Sequence, residues 1–355
     1  MLQSTLARIL LTPFALLYGA GVSLRNFFYR RGLLRSVAFD VPVISVGNLS
    51  VGGAGKTPHI EWLVRLFNPY LNVATLSRGY KRKTRGFLEV KPEHDASQSG
   101  DEPLQFKRKF PDIYVAVSES RTYGIPEIMR HRPATQVVLL DDAFQHRAVV
   151  PGLNILLTEY SHPFTDDFLL PAGRLREWRS AYHRADVLIV SKCPATLTPA
   201  DRARFLEKLN PLPHQRVFFS YYAYGQPYYL FNRRYVAHLP PDCDVLLISA
   251  IARTDYLKAH LEARVNQVIS LEYEDHHNFK PFEIGHLKKV FDNMGNEKRL
   301  ILTTEKDAMR LELHRDFLLE HRLPVFAIPV EVKFHFDGET ELGELAKTFM
   351  LNFRG

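Results

Sequence analysis

Between Val43 and Thr57 the chain reads VISVGNLSVGGAGKT, an apolar run that passes directly into a glycine-rich loop ending in Gly55-Lys56-Thr57. Val43, Ile44 and Val46 are β-branched residues of the kind a buried parallel strand favours. Gly52, Gly53 and Gly55 allow backbone conformations that aim successive N–H groups inward, and such a nest holds an anion. Ser50, Val51, Gly52, Gly53, Ala54, Gly55, Lys56 and Thr57 therefore read as a phosphate-binding loop for ATP. In that reading Lys56 reaches the β- and γ-phosphates, Thr57 ligates Mg2+, and the helix that follows turns its positive end toward the phosphates. Pro58 falls in the first turn of that helix, where a missing N–H is tolerated, and Ile60, Leu63, Val64 and Phe67 recur at helical spacing. The consensus has glycine where this chain has Ser50, and a small residue serves there. A glycine-rich hairpin with an exposed lysine is the plain alternative; the strand before and the helix after favour the nucleotide loop.

At 355 residues the chain exceeds what one hydrophobic core usually serves, so two domains are expected. An apolar share of 46% with 24% charged residues excludes a disordered chain. Lys and Arg number 46 against 39 Asp and Glu, and the net +7 suits an anionic substrate, an anionic membrane surface or a nucleic acid. Cys193 and Cys243 lie far apart and in no C-x-x-C spacing, so neither a disulfide framework nor a zinc site is expected, and a reducing cytosol is the natural compartment.

From Ile9 to Leu24 the chain is nearly all apolar or small, and Arg25, Arg30, Arg31 and Arg35 follow. The run is shorter than the roughly 20 uninterrupted apolar residues of a spanning helix. Read as a signal peptide, it would strand a nucleotide loop where ATP is scarce. An amphipathic helix in the membrane interface fits better: Phe14, Leu17, Gly21, Leu24 and Phe28 share one face, and the arginines meet anionic head groups. A core helix of the soluble domain is the alternative.

Further strands are expected at 72–77, 113–117, 136–140, 154–157 and 187–190. The first opens onto Arg78-Gly79-Tyr80-Lys81-Arg82, a basic run that is either a solvated turn or the lining of an anionic acceptor site. His94 to Gly100 reads as a flexible loop delivering Asp101 and Glu102 to the start of a helix, where Asp101 is a cap, a cleft carboxylate, or both. The strand at 136–140 ends in Asp141-Asp142, and an aliphatic run ending in an acid is what a Walker-B strand looks like. Arg174 and Arg176 suit phosphate contacts or a packed loop with exposed arginines. The aromatic stretch between Val217 and Tyr235 suggests a two-stranded connector, and a second α/β unit begins at Val245. Within it, His276 and His277 lack further ligands at metal spacing, so His276 is read as a catalytic histidine brought over the cleft.

Taken together, VGNLSVGGAGKTP, LSRGYKR, GDEP, LLDDAFQHR, LLPAGRLRE, DHHNF and LTTEKDAMRL resemble, in this order and over most of the chain, the tetraacyldisaccharide 4′-kinase family, the lipid A 4′-kinases of Gram-negative bacteria. The resemblance implies a P-loop NTPase-like parallel sheet flanked by helices, a second smaller α/β domain and an N-terminal amphipathic membrane-interface helix. The expected boundaries are 1–35 for the membrane-associating region, 36–224 for the P-loop kinase domain, 225–240 for the connector and 241–355 for the C-terminal α/β domain. It further implies transfer of the ATP γ-phosphate to the 4′-hydroxyl of an acylated glucosamine disaccharide 1-phosphate, at the cytoplasmic face of the inner membrane, by a peripheral or monotopic protein. ATP and Mg2+ are the implied cofactors, an anionic membrane surface the implied partner, and neither a nucleic acid nor an obligate protein partner is called for. Lys56 and the loop amides would hold the phosphates, and Thr57 with Asp141 or Asp142 would hold Mg2+. Asp101 would accept the hydroxyl proton with His276 as its dyad partner, while Asp142, Arg78, Glu102, Arg174 and Arg176 complete the site. The competing readings are a P-loop kinase of another sugar or nucleoside, and a membrane-associated regulatory P-loop ATPase.

Overall fold

The computed structural model describes residues 5–354, so the first four residues of the expected N-terminal segment, and Gly355, lie outside the described residues. The run at 43–48 forms β1 (Val43–Asn48), buried at every position because helices cover both faces of its sheet. The chain continues through β2 (Val73–Ser77), β3 (Leu88–Glu89), β4 (Tyr114–Val117), β5 (Val137–Asp141), β6 (Leu153–Glu159), β7 (Val187–Ser191) and β8 (Arg216–Tyr224). Then come β9 (Tyr228–Tyr229), β10 (Asn232–Val236), β11 (Asp244–Ser249), β12 (Gln267–Glu272), β13 (Arg299–Thr304), β14 (Val325–Ile328) and β15 (Val330–Phe334).

Among the described residues these make a nine-stranded sheet in the order β15-β8-β7-β6-β1-β5-β2-β4-β3 and a six-stranded sheet in the order β10-β9-β14-β13-β11-β12. β1 runs parallel to β5 on one side and β6 on the other, with Val43 opposite Val138 and Ile44 opposite Leu153. After β1 the chain crosses to β2, which lies beyond β5, so the carboxyl end of β1 opens onto a crevice of the kind that receives ligands in open α/β sheets.

The long N-terminal helix is α1 (Thr5–Arg30), and α2 (Lys56–Phe67) follows the glycine loop. Next come α3 (Ala96–Ser99), α4 (Asp101–Lys109), α5 (Arg121–His131) and α6 (Pro199–Leu209). Helices α7 (Asp255–Glu262), α8 (Pro281–Asp292), α9 (Glu305–Leu311) and α10 (Arg315–Glu320) serve the second sheet, and α11 (Gly338–Asn352) closes the chain. Alternation along β1 sends Ile44 and Val46 into one core with Ile60, Leu63 and Val64 of α2, and Val43 into another with Ile125 and Ile128 of α5.

Two expectations are corrected. The segment 94–100 is not a flexible loop: Asp95 accepts from the N–H groups of Ser97 and Gln98 while the Gln98 side chain returns to the Asp95 N–H, a capping box that starts α3. The stretch 241–355 is not one unit either. β15 pairs antiparallel with β8 from Val330 opposite Tyr224 to Phe334 opposite Ser220, and Leu342 and Ala346 of α11 are buried in the core that α2 helps to fill. The tyrosine-rich connector divides likewise, β8 joining the first sheet and β9 with β10 the edge of the second.

α1 is longer than its apolar run suggested, and by length and composition it could cross a membrane. One flank is seated on the body: Ala15 and Gly19 are buried, and the Trp178 indole N–H bonds the Gly19 carbonyl at 3.1 Å. The other flank is open, with Ile9, Leu10, Phe14 and Leu17 exposed.

Candidate functional site

Carboxyl ends of both sheets meet at a cleft of about 760 Å³. Its floor is the glycine loop. Gly52 has φ 110° and Gly55 φ 86°, and a Cβ on Gly55 would lie 2.5 Å from the Tyr222 hydroxyl, so glycine is required there by both conformation and space. Val51, Gly52, Gly53, Gly55, Lys56 and Thr57 line the cleft, whereas Ser50 and Ala54 shape the loop from behind. Ser50 bridges to Leu175, and Ser191 of β7 donates to the Ala54 carbonyl at 2.7 Å. His59 secures the loop further: its Nδ1 lies 2.7 Å from the Gly55 carbonyl and its Nε2 3.0 Å from the Ser220 hydroxyl, and burial lowers its pKa to about 4.

Lys56 donates to Asn48 Oδ1 at 3.1 Å and sits 3.7 Å from Asp142. The two aspartates at the end of β5 differ in their surroundings. Asp142 has φ 48° and takes a two-pronged contact from Arg176 at 2.8 and 3.1 Å. Burial would raise its pKa, but Lys56 and Arg176 hold it well below the usual carboxylate range. Asp141 is buried, its Oδ1 has no hydrogen-bond partner, and burial, with Glu102 adding to it, pushes its pKa up to about 7. An orphaned buried carboxylate oxygen in a cleft floored by the glycine loop suits a divalent cation, so Asp141, which lines that cleft together with Thr57, fits Mg2+.

The opposite wall carries the pair expected from sequence. His276 Nδ1 is 2.9 Å from Asp101 Oδ2, and the same carboxylate accepts from Arg310 at 2.6 Å and from the Glu102 N–H at 3.0 Å. Asp101 is the first residue of α4, capped by Gly100 and not itself the cap. A Cβ on Gly100, at φ 91°, would meet the Gly79 backbone at 3.1 Å, and this close approach packs the turn that carries Tyr80 against the start of α4. The Tyr80 ring meets His276 edge-on at 4.8 Å. His276 and Glu102 line the cleft, while Asp101 is buried behind them.

Of the expected acceptor contacts, Arg78 lines the cleft and Arg176 does so while bound to Asp142. Arg174 is corrected: it does not line the cleft, because its Nε and backbone N–H both bond Asp167, each at 3.0 Å. Several lining groups were not anticipated. Lys306, inside the LTTEKDAMRL motif, has its Nζ 3.0 Å from His276 Nε2 and 3.2 Å from Glu102, and burial alone would lower its pKa, yet the surrounding carboxylates push it up. Its helical spacing to Arg310 was the available signal. α1 supplies Tyr18, Val22 and Arg25, with Tyr18 donating to the Arg176 carbonyl at 2.9 Å and Arg25 to the Gln145 carbonyl at 2.7 Å.

Comparison with known proteins bears on what such a cleft does. The family described as Tetraacyldisaccharide-1-P 4'-kinase matches residues 7–348. A tetraacyldisaccharide 4'-kinase of Bacteroides fragilis is 44% identical over 330 residues, covering 91% of this chain and 88% of that one. One from Parabacteroides distasonis is 43% identical over 344 residues, covering 95% and 93%. The crystal structure of LpxK from Aquifex aeolicus in complex with ATP superposes with a TM-score of 0.72 at 29% identity, covering 97% of this chain and 99% of that one.

Proposed function

Since the chain belongs to the tetraacyldisaccharide-1-P 4'-kinase family, we propose that it transfers the γ-phosphate of ATP to the 4′-hydroxyl of an acylated glucosamine disaccharide 1-phosphate in lipid A synthesis, at the cytoplasmic face of the inner membrane. The observation that carries this reading is the wall built by α1. Tyr18, Val22 and Arg25 face the phosphate cleft, while Phe14 and Leu17, nearer the N-terminal end of the same helix, lie open. A kinase of a soluble sugar or nucleoside has no use for such a wall, whereas an acceptor whose acyl chains stay in the bilayer must be met there. Because α1 is seated on the body through Ala15, Gly19 and Asn26, it rests in the interface as a monotopic element, and Arg25, Arg30, Arg31 and Arg35 meet anionic head groups.

Phosphoryl transfer asks for positioning and charge neutralisation. Lys56 and the loop N–H groups would hold the β- and γ-phosphates, and Thr57 and Asp141 would hold Mg2+, which would supply neutralisation of phosphate charge. Asp142 is kept ionised by Lys56 and Arg176, so it fixes both cations at the phosphate end. Asp101 and His276 take the acceptor proton as one unit. Of the two, His276 borders the cleft, and Asp101 holds the opposite ring nitrogen and the compensating charge. Arg78 and Glu102 contact the sugar. Purified protein, Mg-ATP and the disaccharide 1-phosphate should yield a phosphorylated glycolipid on thin-layer plates. ATP turnover equally fast without acceptor would favour a regulatory ATPase, and equal use of a water-soluble sugar would remove the lipid reading.

A further inference from the structure

We propose that Lys306 is a second catalytic lysine, which rests on His276 and moves to the transferring phosphoryl group when ATP and acceptor are bound; the inference rests on the kinase reading above. An ammonium can only donate. With Lys306 Nζ 3.0 Å from His276 Nε2, that nitrogen is the acceptor, and Nδ1 carries the ring hydrogen toward Asp101. The lone pair that must receive the hydroxyl proton is therefore already occupied. The conformation described is a resting one, and the base becomes available only when Lys306 leaves the ring.

The same lysine is suited to the second position. It lines the cleft that Lys56 lines, it sits on a flexible four-carbon stem, and its partners Glu102 at 3.2 Å and Asp275 at 3.4 Å are single carboxylates. A γ-phosphate gathers more negative charge at one point than either of them. The acidic neighbours keep Lys306 an ammonium, so it supplies charge and not a proton. His276 stays in place when the lysine departs, because Asp101 and the Tyr80 ring still hold it. In the step itself the acceptor O–H bond breaks and its proton passes to His276 Nε2. The oxygen bonds to the γ-phosphorus, and the bond to the β–γ bridging oxygen breaks with its electron pair staying on ADP. Lys306 keeps all its hydrogens throughout. ATP thus releases the base that its own transfer requires, and the ring stays blocked until nucleotide is in place.

Asp101 makes the idea measurable. It is faced by His276 from the loop after β12, by Lys306 and Arg310 from α9 and by Glu102 on its own helix, with Asp275 and Asp307 one contact further out. Burial raises its pKa, Lys306 is foremost among the cations that outweigh burial, and removing that cation raises the pKa again. In the full-length protein Lys306→Met should lower kcat about 10²–10³-fold, the size of loss seen when one donor to developing charge is removed, with ATP affinity by nucleotide titration changed only a few-fold. The acid limb of its kcat/KM profile should move to higher pH. Lys306→Arg keeps the charge and the ion pairs, so it should fold even where the Met variant does not, leave the limb in place, and recover part of the rate. The proposal is overturned by a Met variant within about tenfold of the parental kcat, by an unmoved limb, or by Met and Arg variants that lose rate and ATP affinity together. Absence of phosphorylated glycolipid with the parental protein would instead overturn the kinase reading itself.

Discussion

Asp101 and His276 split one task between a buried carboxylate and a ring that borders the cleft. Asp101→Asn preserves shape and an acceptor oxygen for His276 but removes the charge, so turnover should fall by about 10²–10⁴-fold while ATP still binds. The fold should survive, because Arg310 retains its ion pair with Asp307. His276→Ala should lose as much, and the double variant little more, the non-additivity expected of groups acting together. A His276→Ala enzyme that keeps most of its rate while Asp101→Asn is dead would mean that Asp101 meets the hydroxyl directly. Lys56 and Asp141 stand out in the sequence because one closes a glycine-rich loop after an apolar strand and the other ends an aliphatic run, and His276 because it opens a pair of adjacent histidines. Arg310 and Asn48 do not, since their roles depend on Asp101, 209 positions from Arg310, and on Arg176, 128 positions from Asn48. No local pattern encodes such a partner.

The two helices that frame the cleft can be tested separately. On α1, Leu10→Gln, Phe14→Gln and Leu17→Gln together alter only the open flank. Burying each such side chain contributes about 1.5–3 kcal/mol, so sedimentation with anionic vesicles should drop by well over an order of magnitude, with kcat on detergent-dispersed acceptor nearly unchanged. A triple variant that binds vesicles like the parent would refute the footprint. Deleting the whole helix is a different experiment: it removes a wall of the cleft and the contacts to Gln145 and Arg176, and should abolish activity even in detergent. On α2, His59 supports the loop as a neutral ring, its folded pKa lowered to about 4 by burial. The unfolded chain binds that proton near pH 6.5, so this stability is complete above 6.5 and lost as pH falls toward 4, at most about 3 kcal/mol in all. Melting curves of His59→Gln should be flatter over this window than those of the parent, and equal slopes would show that His59 is not the group. The phosphate loop and α2 are legible in sequence because glycine, lysine and helical spacing are all local. α3 is harder to read: the Asp95–Gln98 capping box is there, but its polar setting reads equally well as a loop.

The chain passes between its two sheets twice, outward after Tyr224 and back between Ile328 and Val330, and the two crossings touch where the Gly225 N–H bonds the Pro329 carbonyl at 3.0 Å. This return could not be read from sequence, because antiparallel pairing of β15 with β8 leaves no periodic trace at either segment. Its consequence is mechanical. The second sheet is attached at a double seam beside the cleft, and ion pairs join the units further along: Lys109 of α4, itself held by Glu61 at 2.8 Å, reaches Glu305 at 2.5 Å, and Arg310 reaches Asp101. One hydrophobic cluster runs through both, from Ile60 and Leu63 of α2 to Leu246 and Ile301 of the second sheet. Breaking a buried pair by removing one partner costs about 3–5 kcal/mol, so neither unit can open fully without exposing charge and apolar surface in the other. Unfolding should therefore be a single cooperative transition by calorimetry and by fluorescence, despite the two sheets. A chain ended after Pro329 should not leave a working kinase core. It strips β15 from the edge of the first sheet, leaves β8 unpaired on that side, and uncovers the apolar positions that Leu342 and Ala346 fill. Aggregation or loss of ATP binding in that truncation is the expected result, and two resolved melting transitions in the full-length protein would sink the argument.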